Sequence, residues 1–446
     1  MTETTLGIDI GTTSVKGVLA DGDGNVVARV RIPHALRFPS PAHMEHDADE
    51  AWRRGPRKVW AKLGAQASAA AVSAMVPAIT AVDRRGRPLT PGLLYGDARG
   101  RGVAVGASST GHPAETGEAV EFLRWTAKEA PTAHGYFSAP AVANMALAGE
   151  PVVDFGTAFS TVPLYGANGW DPEICAACGV DPERLPRVEM MGTSIGKIGN
   201  AVLAAGSVDA MCEQIVAGAD EEGDVLVLCG TTLITWAVTT EWREVPGLWT
   251  IPHTAPGRVA IGGASNAGGL FLNWVERLLG KFRSEEVDPR RVPVFAPYLR
   301  GERTPMHDPD RRAVLDGLDL THGPSSVRRA AYEAAGFVVR HHLDLSGVDA
   351  KRIVATGGGT RVEGWMRALA DCTGLPVHAA LVPEGAALGA AFLARQAIGL
   401  ETSMNDAARW ARTREIFDPD PAWAQPTAER YARFRQLADS GAHPLA

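Results

Sequence analysis

The hydrophobic and polar positions change period several times along the chain. Thr5–Ile10, Val15–Ala20 and Asn25–Ile32 are short apolar runs that read as three strands, joined by Gly11-Thr12-Thr13 and by Asp21-Gly-Asp-Gly24. Asp47–Ala71 has helical spacing. Ala71–Val82 reads as a strand, followed by an Arg-Arg-Gly-Arg turn and a second strand ending at Leu94-Tyr95. Residues 96–118 are rich in Gly, Ala and Ser and read as loop, and a helical segment runs from Glu118 to about Ala148. Val202–Ala205 is a strand leading through Gly206-Ser-Val-Asp209 into the helix Ala210–Ala217, and the acidic turn 220–224 marks a domain boundary. Beyond it come Val225–Cys229, Gly230-Thr231-Thr232 and Ile234–Val238, the same strand–turn–strand device as at the head of the chain, so a weak internal duplication is expected. Arg352–Thr356 is a further strand, followed by Gly357-Gly358-Gly359 and the helices Glu363–Cys372 and Ala386–Leu393.

At 446 residues the chain exceeds what one hydrophobic core usually serves, so two domains are expected. A net charge of −7 gives no electrostatic reason to expect nucleic acid or an anionic membrane as partner. No apolar run reaches the ~20 residues of a membrane span. The chain enters Leu6-Gly7-Ile8 without a basic leader, and the expectation is a cytoplasmic protein. Five cysteines do not suggest a disulfide framework, and Cys175 and Cys178 read as small buried residues of a short helix ended by Gly179.

The chemistry begins with Asp9, an acid between Ile8 and Ile10 that is costly to bury without compensation. The P-loop pattern, the dinucleotide fingerprint, the G-x-S-x-G elbow and H-E-x-x-H are all absent. Two Gly-Thr-Thr turns and one triple-glycine turn remain. Glycine admits phosphate close to the backbone, hydroxyls and turn amides donate to it, and a carboxylate beside polyphosphate is tolerated when Mg²⁺ lies between.

The order GIDIGTTSVKGVL, GRPLTPGLLYGDARG, AAGSVDAMCEQIVAGA, VLCGTTLITW, YLRGERTPMHDPDRRA, ATGGGTRVEGWMRALAD and PEGAALGAA resembles the FGGY carbohydrate kinases, over residues 5 to 396. Among pentulose-type members the xylulokinases are the nearest. The resemblance implies an α/β protein of two actin-like (ribonuclease H-like) domains, each a mixed sheet flanked by helices, with an ATP cleft between them. The implied domains are 1–219, which binds sugar and phosphate, and 220–396, which binds nucleotide, with 397–446 as a tail packing on the second. It implies Mg-ATP as phosphoryl donor, a pentulose such as xylulose as acceptor, and Asp209 as general base. Asp209 also reads as a helix N-cap, a role compatible with catalysis.

By the same resemblance Gly11, Thr12, Thr13, Lys16, Gly230, Thr231 and Thr232 bind phosphates, and Asp9 and Asp209 hold the metal. Gly357, Gly358, Gly359, Arg361 and Glu384, with Gly385 and Ala387, bind adenosine. Met75, Val76, Pro77, Tyr95, Asp97, Arg99 and Asp209 form the acceptor site. The chain departs from the family here. Xylulokinases carry a Met-His pair where this chain has Val76-Pro77, the usual Trp-Asn-Asp-x-Arg is Tyr95-Gly-Asp97-Ala-Arg99, and Ala210 follows Asp209 where Asn is usual. Loss of buried polar contacts changes which acceptor is chosen. Another polyol, an aldonate, or a silent sugar- or ATP-binding sensor are the alternatives, and homodimerisation is left open.

Overall fold

The computed structural model describes residues 3–40, 43–100 and 118–440, so most of the loop expected at 96–118 lies outside the described residues. The chain forms two compact units, Met1–Val216 with Glu384–Trp410, and Ala217–Pro383 with Ala411–Ala446.

The first unit is built on a six-stranded sheet in the order Ser194–Ile198, Ala201–Ala204, Ala69–Ala74, Thr5–Ile10, Ser14–Ala20, Val26–Pro33. Thr5–Ile10 pairs antiparallel with Ser14–Ala20 and parallel with Ala69–Ala74, which pairs parallel with Ala201–Ala204. The second unit has a seven-stranded sheet in the order Trp249–Pro252, Val259–Ser265, Leu233–Thr239, Asp224–Cys229, Arg352–Thr356, Val377–Ala380, Thr413–Phe417. Its hairpin strand Asp224–Cys229 likewise lies antiparallel to Leu233–Thr239 and parallel to Arg352–Thr356, which pairs parallel with Val377–Ala380. The duplication seen as two Gly-Thr-Thr turns therefore extends to sheet topology. Every position of Thr5–Ile10 and of Asp224–Cys229 is buried, as strands covered on both faces require.

The structure differs from the sequence expectation in three places. The strand expected over 71–82 is two, Ala69–Ala74 and Ala78–Val82, in different sheets. Pro77 lacks the N–H that a continuous ladder needs. The helix expected over 118–148 is broken into Glu118–Glu129 and Ala139–Ala148 by the strand Gly135–Phe137, which pairs with Ala78–Val82. Finally, residues 384–410 group with the first unit, whereas the expected boundaries put them in the second domain and its tail.

The reason lies in the small residues of the helix Gly385–Ala397. A Cβ on Gly7 would lie 1.7 Å from the Ala387 carbonyl oxygen, and one on Gly389 would lie 1.9 Å from that of Cys212. This helix therefore meets the first sheet backbone to backbone. Thr5 Oγ1 donates to the Ala391 carbonyl at 2.8 Å, and Trp410 Nε1 to that of Gly22 at 3.1 Å. The rest of the tail, strand Thr413–Phe417 and helix Pro421–Asp439, packs within the second unit, where Arg430 Nε reaches Glu333 Oε2 at 2.6 Å.

Candidate active site

Two strands of the first unit, Thr5–Ile10 and Ala69–Ala74, end side by side, and an isolated bridge residue lies beside the second. Ile10 is in register with Ala74, and Ala74 forms a bridge with Val208. The segments that follow, Gly11–Thr13, Met75–Pro77 and Asp209, are thereby brought to one sheet edge, the usual ligand position in α/β sheets.

Asp9 is 3% exposed, with Oδ2 3.0 Å from Lys16 Nζ. The carboxylate holds the Lys16 ammonium above its ordinary pKa, more than offsetting the effect of burial. Asp9 Oδ1 is also buried, and it has no hydrogen-bond partner among the described residues. An orphaned carboxylate oxygen beside a turn suited to phosphate fits a hard cation such as Mg²⁺, which takes one or two protein carboxylates and completes its shell elsewhere. No cluster of three or more acidic, His or Cys ligands exists among the described residues.

The two threonines of the opening turn differ. Thr12 is buried and its hydroxyl lies 2.8 Å from Tyr95 Oη, whereas Thr13 is exposed. Glycine at 11 leaves the turn open, since the nearest atom to an added Cβ is 3.4 Å away. Three residues that the motifs did not indicate surround this turn. His34 Nε2 lies 3.1 Å from the Gly11 carbonyl oxygen, His46 Nε2 lies 2.7 Å from that of Thr12, and Trp52 Nε1 donates to His46 Nδ1 at 3.0 Å.

Asp209 begins the helix Asp209–Ala217, is half-buried, and accepts from the Ala210 N–H at 2.8 Å. Its loop is anchored by a second residue without a motif. Asp154, fully buried, accepts from Ser207 Oγ at 2.8 Å and from the amides of Gly156 and Thr157 at 2.8 and 3.2 Å. Burial lifts its pKa despite those bonds. Only the helix-capping pattern Asp-Phe-Gly-Thr could have drawn attention to it in the sequence.

Of the residues expected at the acceptor site, Met75 is buried, with its N–H 3.4 Å from the Ile10 carbonyl oxygen, and Val76 and Pro77 are partly exposed. Pro77 lines a small apolar pocket with Phe122, Tyr136 and Trp170, in which Ser138, Thr157 and Thr161 also take part. Asp97 and Arg99 pair with each other: Arg99 Nε and Nη2 reach the two Asp97 oxygens at 2.8 Å each, and Nη2 also reaches Glu45 Oε2 at 2.7 Å. Burial would raise the Asp97 pKa, but hydrogen bonds from Arg99 and the Met44 amide bring it below the ordinary value.

In the second unit the Gly230 N–H donates to the Thr232 carbonyl at 3.1 Å, and the helix Gly269–Leu279 begins against this turn. A Cβ on Gly268 would lie 2.3 Å from the Thr232 carbonyl carbon, so glycine there permits the approach. The three glycines of 357–359 have separate reasons. Gly357 has φ +86°, Gly359 would drive a Cβ into the Trp365 ring at 2.1 Å, and Gly358 alone has nothing within 4 Å. Arg361 is exposed at the end of this turn. Glu384, expected beside these glycines, belongs to the first unit and pairs with Arg29 at 3.1 Å. Ala387 is fully buried beneath Gly7. In the Gly301–Pro305 signature, Glu302 accepts from Ser265 Oγ at 2.6 Å and from the amides of Asn266 and Arg303 at 2.9 and 2.7 Å.

The chain is 26% identical over 472 residues to a xylulose kinase of Escherichia coli (strain K12), covering 96% of each. It is 27% identical over 458 residues to a gluconokinase of Bacillus subtilis (strain 168), covering 90% of this chain and 88% of that one. The fold matches the crystal structure of gluconate kinase from Lactobacillus acidophilus with a TM-score of 0.82 at 21% identity, covering 99% and 98% of the two chains. The family models for the N-terminal and C-terminal domains match residues 4–223 and 225–398. With both halves matched in order, the chain belongs to the FGGY family of carbohydrate kinases.

Proposed function

We propose that this carbohydrate kinase transfers the γ-phosphoryl group of ATP to a hydroxyl of a small sugar or polyol, a pentulose such as xylulose, with Asp209 as general base. The observation that supports this reading is the register Ile10–Ala74–Val208, after which Gly11–Thr13, Met75–Pro77 and the half-buried Asp209 follow side by side. In such a site Asp209 accepts the proton of the attacking hydroxyl. Thr13 and Lys16, with the amides of the opening turn, take phosphate oxygens. Gly230, Thr231 and Thr232 do the same in the second unit, and Gly358 offers an open face to the purine. Asp9 Oδ1, with Asp209 as a second carboxylate, would hold Mg²⁺, which when bound neutralises charge on the phosphates. Asp97 and Arg99 act as a paired wall that orders the acceptor side through Glu45 and Met44. Tyr95 joins the acceptor side to the phosphate turn through Thr12.

One observation favours a second acceptor class. The wall at Pro77 is apolar, where a fully hydroxylated sugar would call for donors. A shorter or less hydroxylated polyol suits that wall better.

The test is coupled ADP release by the full chain with Mg-ATP against pentuloses, pentitols, tetritols, glycerol and aldonates. Strong stimulation by one acceptor, reduced ~10²–10⁴-fold in Asp209→Asn, is expected. An Asp209→Asn enzyme with unchanged kcat would remove the general base from this reading. Calorimetric binding of a sugar with no turnover would replace it by a sensor.

A further inference from the structure

The opening turn presents its peptide groups in a fixed sense. The carbonyls of Gly11 and Thr12 face His34 Nε2 at 3.1 Å and His46 Nε2 at 2.7 Å, and the Thr13 carbonyl accepts from the His34 backbone N–H at 3.2 Å. The two rings meet edge to face with centroids 4.5 Å apart, so these carbonyls converge on one side of the turn. A carbonyl has no proton to give, so each Nε2 is the donor. For His46 the tautomer is settled at its other nitrogen. Trp52 Nε1 can only donate and lies 3.0 Å from Nδ1, which is therefore the bare acceptor. Burial keeps this ring neutral, its pKa lowered to about 4.

The peptide bonds of the turn are trans, so each carbonyl is antiparallel to the N–H of the next residue. Turning the Gly11 and Thr12 carbonyls toward the imidazoles sends the N–H groups of Thr12 and Thr13 the other way. Successive amides aimed outward make an anion-binding nest. The second turn reaches the same arrangement by different means. There the Gly230 and Thr231 carbonyls accept from the backbone N–H groups of Gly269 and Leu270 at 2.8 and 3.1 Å. The glycine and first threonine thus have their carbonyls engaged in both turns, by imidazoles in one and by helix amides in the other. A ring that merely filled the core would not need to reproduce that pattern.

We propose that His46, with its tautomer held by Trp52, and His34 are positioning residues of the phosphate site, turning the Gly11 and Thr12 carbonyls inward so that the Thr12 and Thr13 amides face phosphoryl oxygens. The proposal rests on the kinase reading above.

The test titrates full-length protein with a Mg-bound non-hydrolysable ATP analogue in a calorimeter, with coupled ADP release as a second readout. His46→Leu occupies the ring's space and donates nothing, whereas His46→Gln restores a donor for Thr12 and an acceptor for Trp52. The expected result is about tenfold weaker nucleotide binding in His46→Leu, unchanged acceptor KM, and recovery of most of the affinity in His46→Gln. In ¹⁵N spectra the His46 ring is expected to show a protonated Nε2 and a bare Nδ1, a preference that Trp52→Phe releases. Equal nucleotide affinity in folded wild type and His46→Leu overturns the proposal and leaves the kinase reading standing. A loss that His46→Gln does not recover also overturns it, because packing then explains the effect. If His46→Leu does not fold, Trp52→Phe decides: nucleotide binding about threefold weaker supports the proposal, and unchanged binding overturns it. A wild type that binds no nucleotide and releases no ADP with any acceptor removes both the reading and the proposal.

Discussion

Glu302 provides a direct measure of how the signature segment is held in the second unit. Its carboxyl is 3% exposed, and burial raises its pKa from the ordinary 4.5 to about 7, outweighing the hydrogen bonds from Ser265, Asn266 and Arg303. Between those pH values the folded protein holds a proton that the unfolded chain has released. Stability therefore falls as pH rises from about 4.5 to 7 and levels off above. A span of about 2.5 units at ~1.36 kcal/mol per unit corresponds to roughly 3 kcal/mol. Glu302→Gln carries no charge at any of these pH values and keeps one oxygen for the amides of Asn266 and Arg303. Its NH₂ group faces Ser265 Oγ, which accepts from the Ala267 amide at 3.0 Å and has a second lone pair for it, so the amide takes the place of the protonated carboxyl. The variant is expected to match wild type near pH 5 and to be more stable than it at pH 8. Urea unfolding at half-unit steps of pH, followed by circular dichroism, reads the difference. Parallel pH profiles in the two proteins would refute the reasoning, because the slope lost on substitution is the contribution assigned to Glu302.

Three further substitutions test the packing and the link within the first unit. Gly7→Ala places a methyl 1.7 Å from the Ala387 carbonyl oxygen, and a loss of about 3 kcal/mol or more is expected, read as a lowered Tm; an unchanged Tm would mean that the helix Gly385–Ala397 does not seat on the sheet as described. Tyr95→Phe and Thr12→Val each break the 2.8 Å hydroxyl pair, with about 1 kcal/mol expected for each and no more than the larger of the two for the double variant; fully additive losses in the cycle would show that the hydroxyls act independently.

The strands and glycine turns were legible because they rest on local rules. Apolar runs end at glycine, and Thr5–Ile10, Arg352–Thr356 and the Gly-Thr-Thr turns lie where period and turn chemistry put them. The departure at Val76-Pro77 was also visible, and it marks both the strand break and the apolar wall. His34, His46, Trp52 and Asp154 were not legible. Each is an isolated polar or aromatic residue in an unremarkable stretch, and its role depends on which backbone group it meets across the fold. Asp97 and Arg99, which the resemblance implies for the acceptor site, pair with one another and with Glu45, a contact that only the folded chain shows.

By itself, the amino-acid order determined the two-part organisation, the repeated hairpin and the glycine-rich turns, because these depend on neighbours a few residues apart. The tertiary structure decided which half receives the helix Gly385–Ala397, since that depends on Gly7 and Thr5 meeting residues such as Ala391, 386 positions from Thr5. It also decided that the two threonines of the opening turn differ. Thr12 and Thr13 are identical in sequence terms, but one hydroxyl is turned inward to Tyr95 and the other side chain is left exposed. Burial and hydrogen-bond direction belong to the folded chain, because they depend on which groups meet across it.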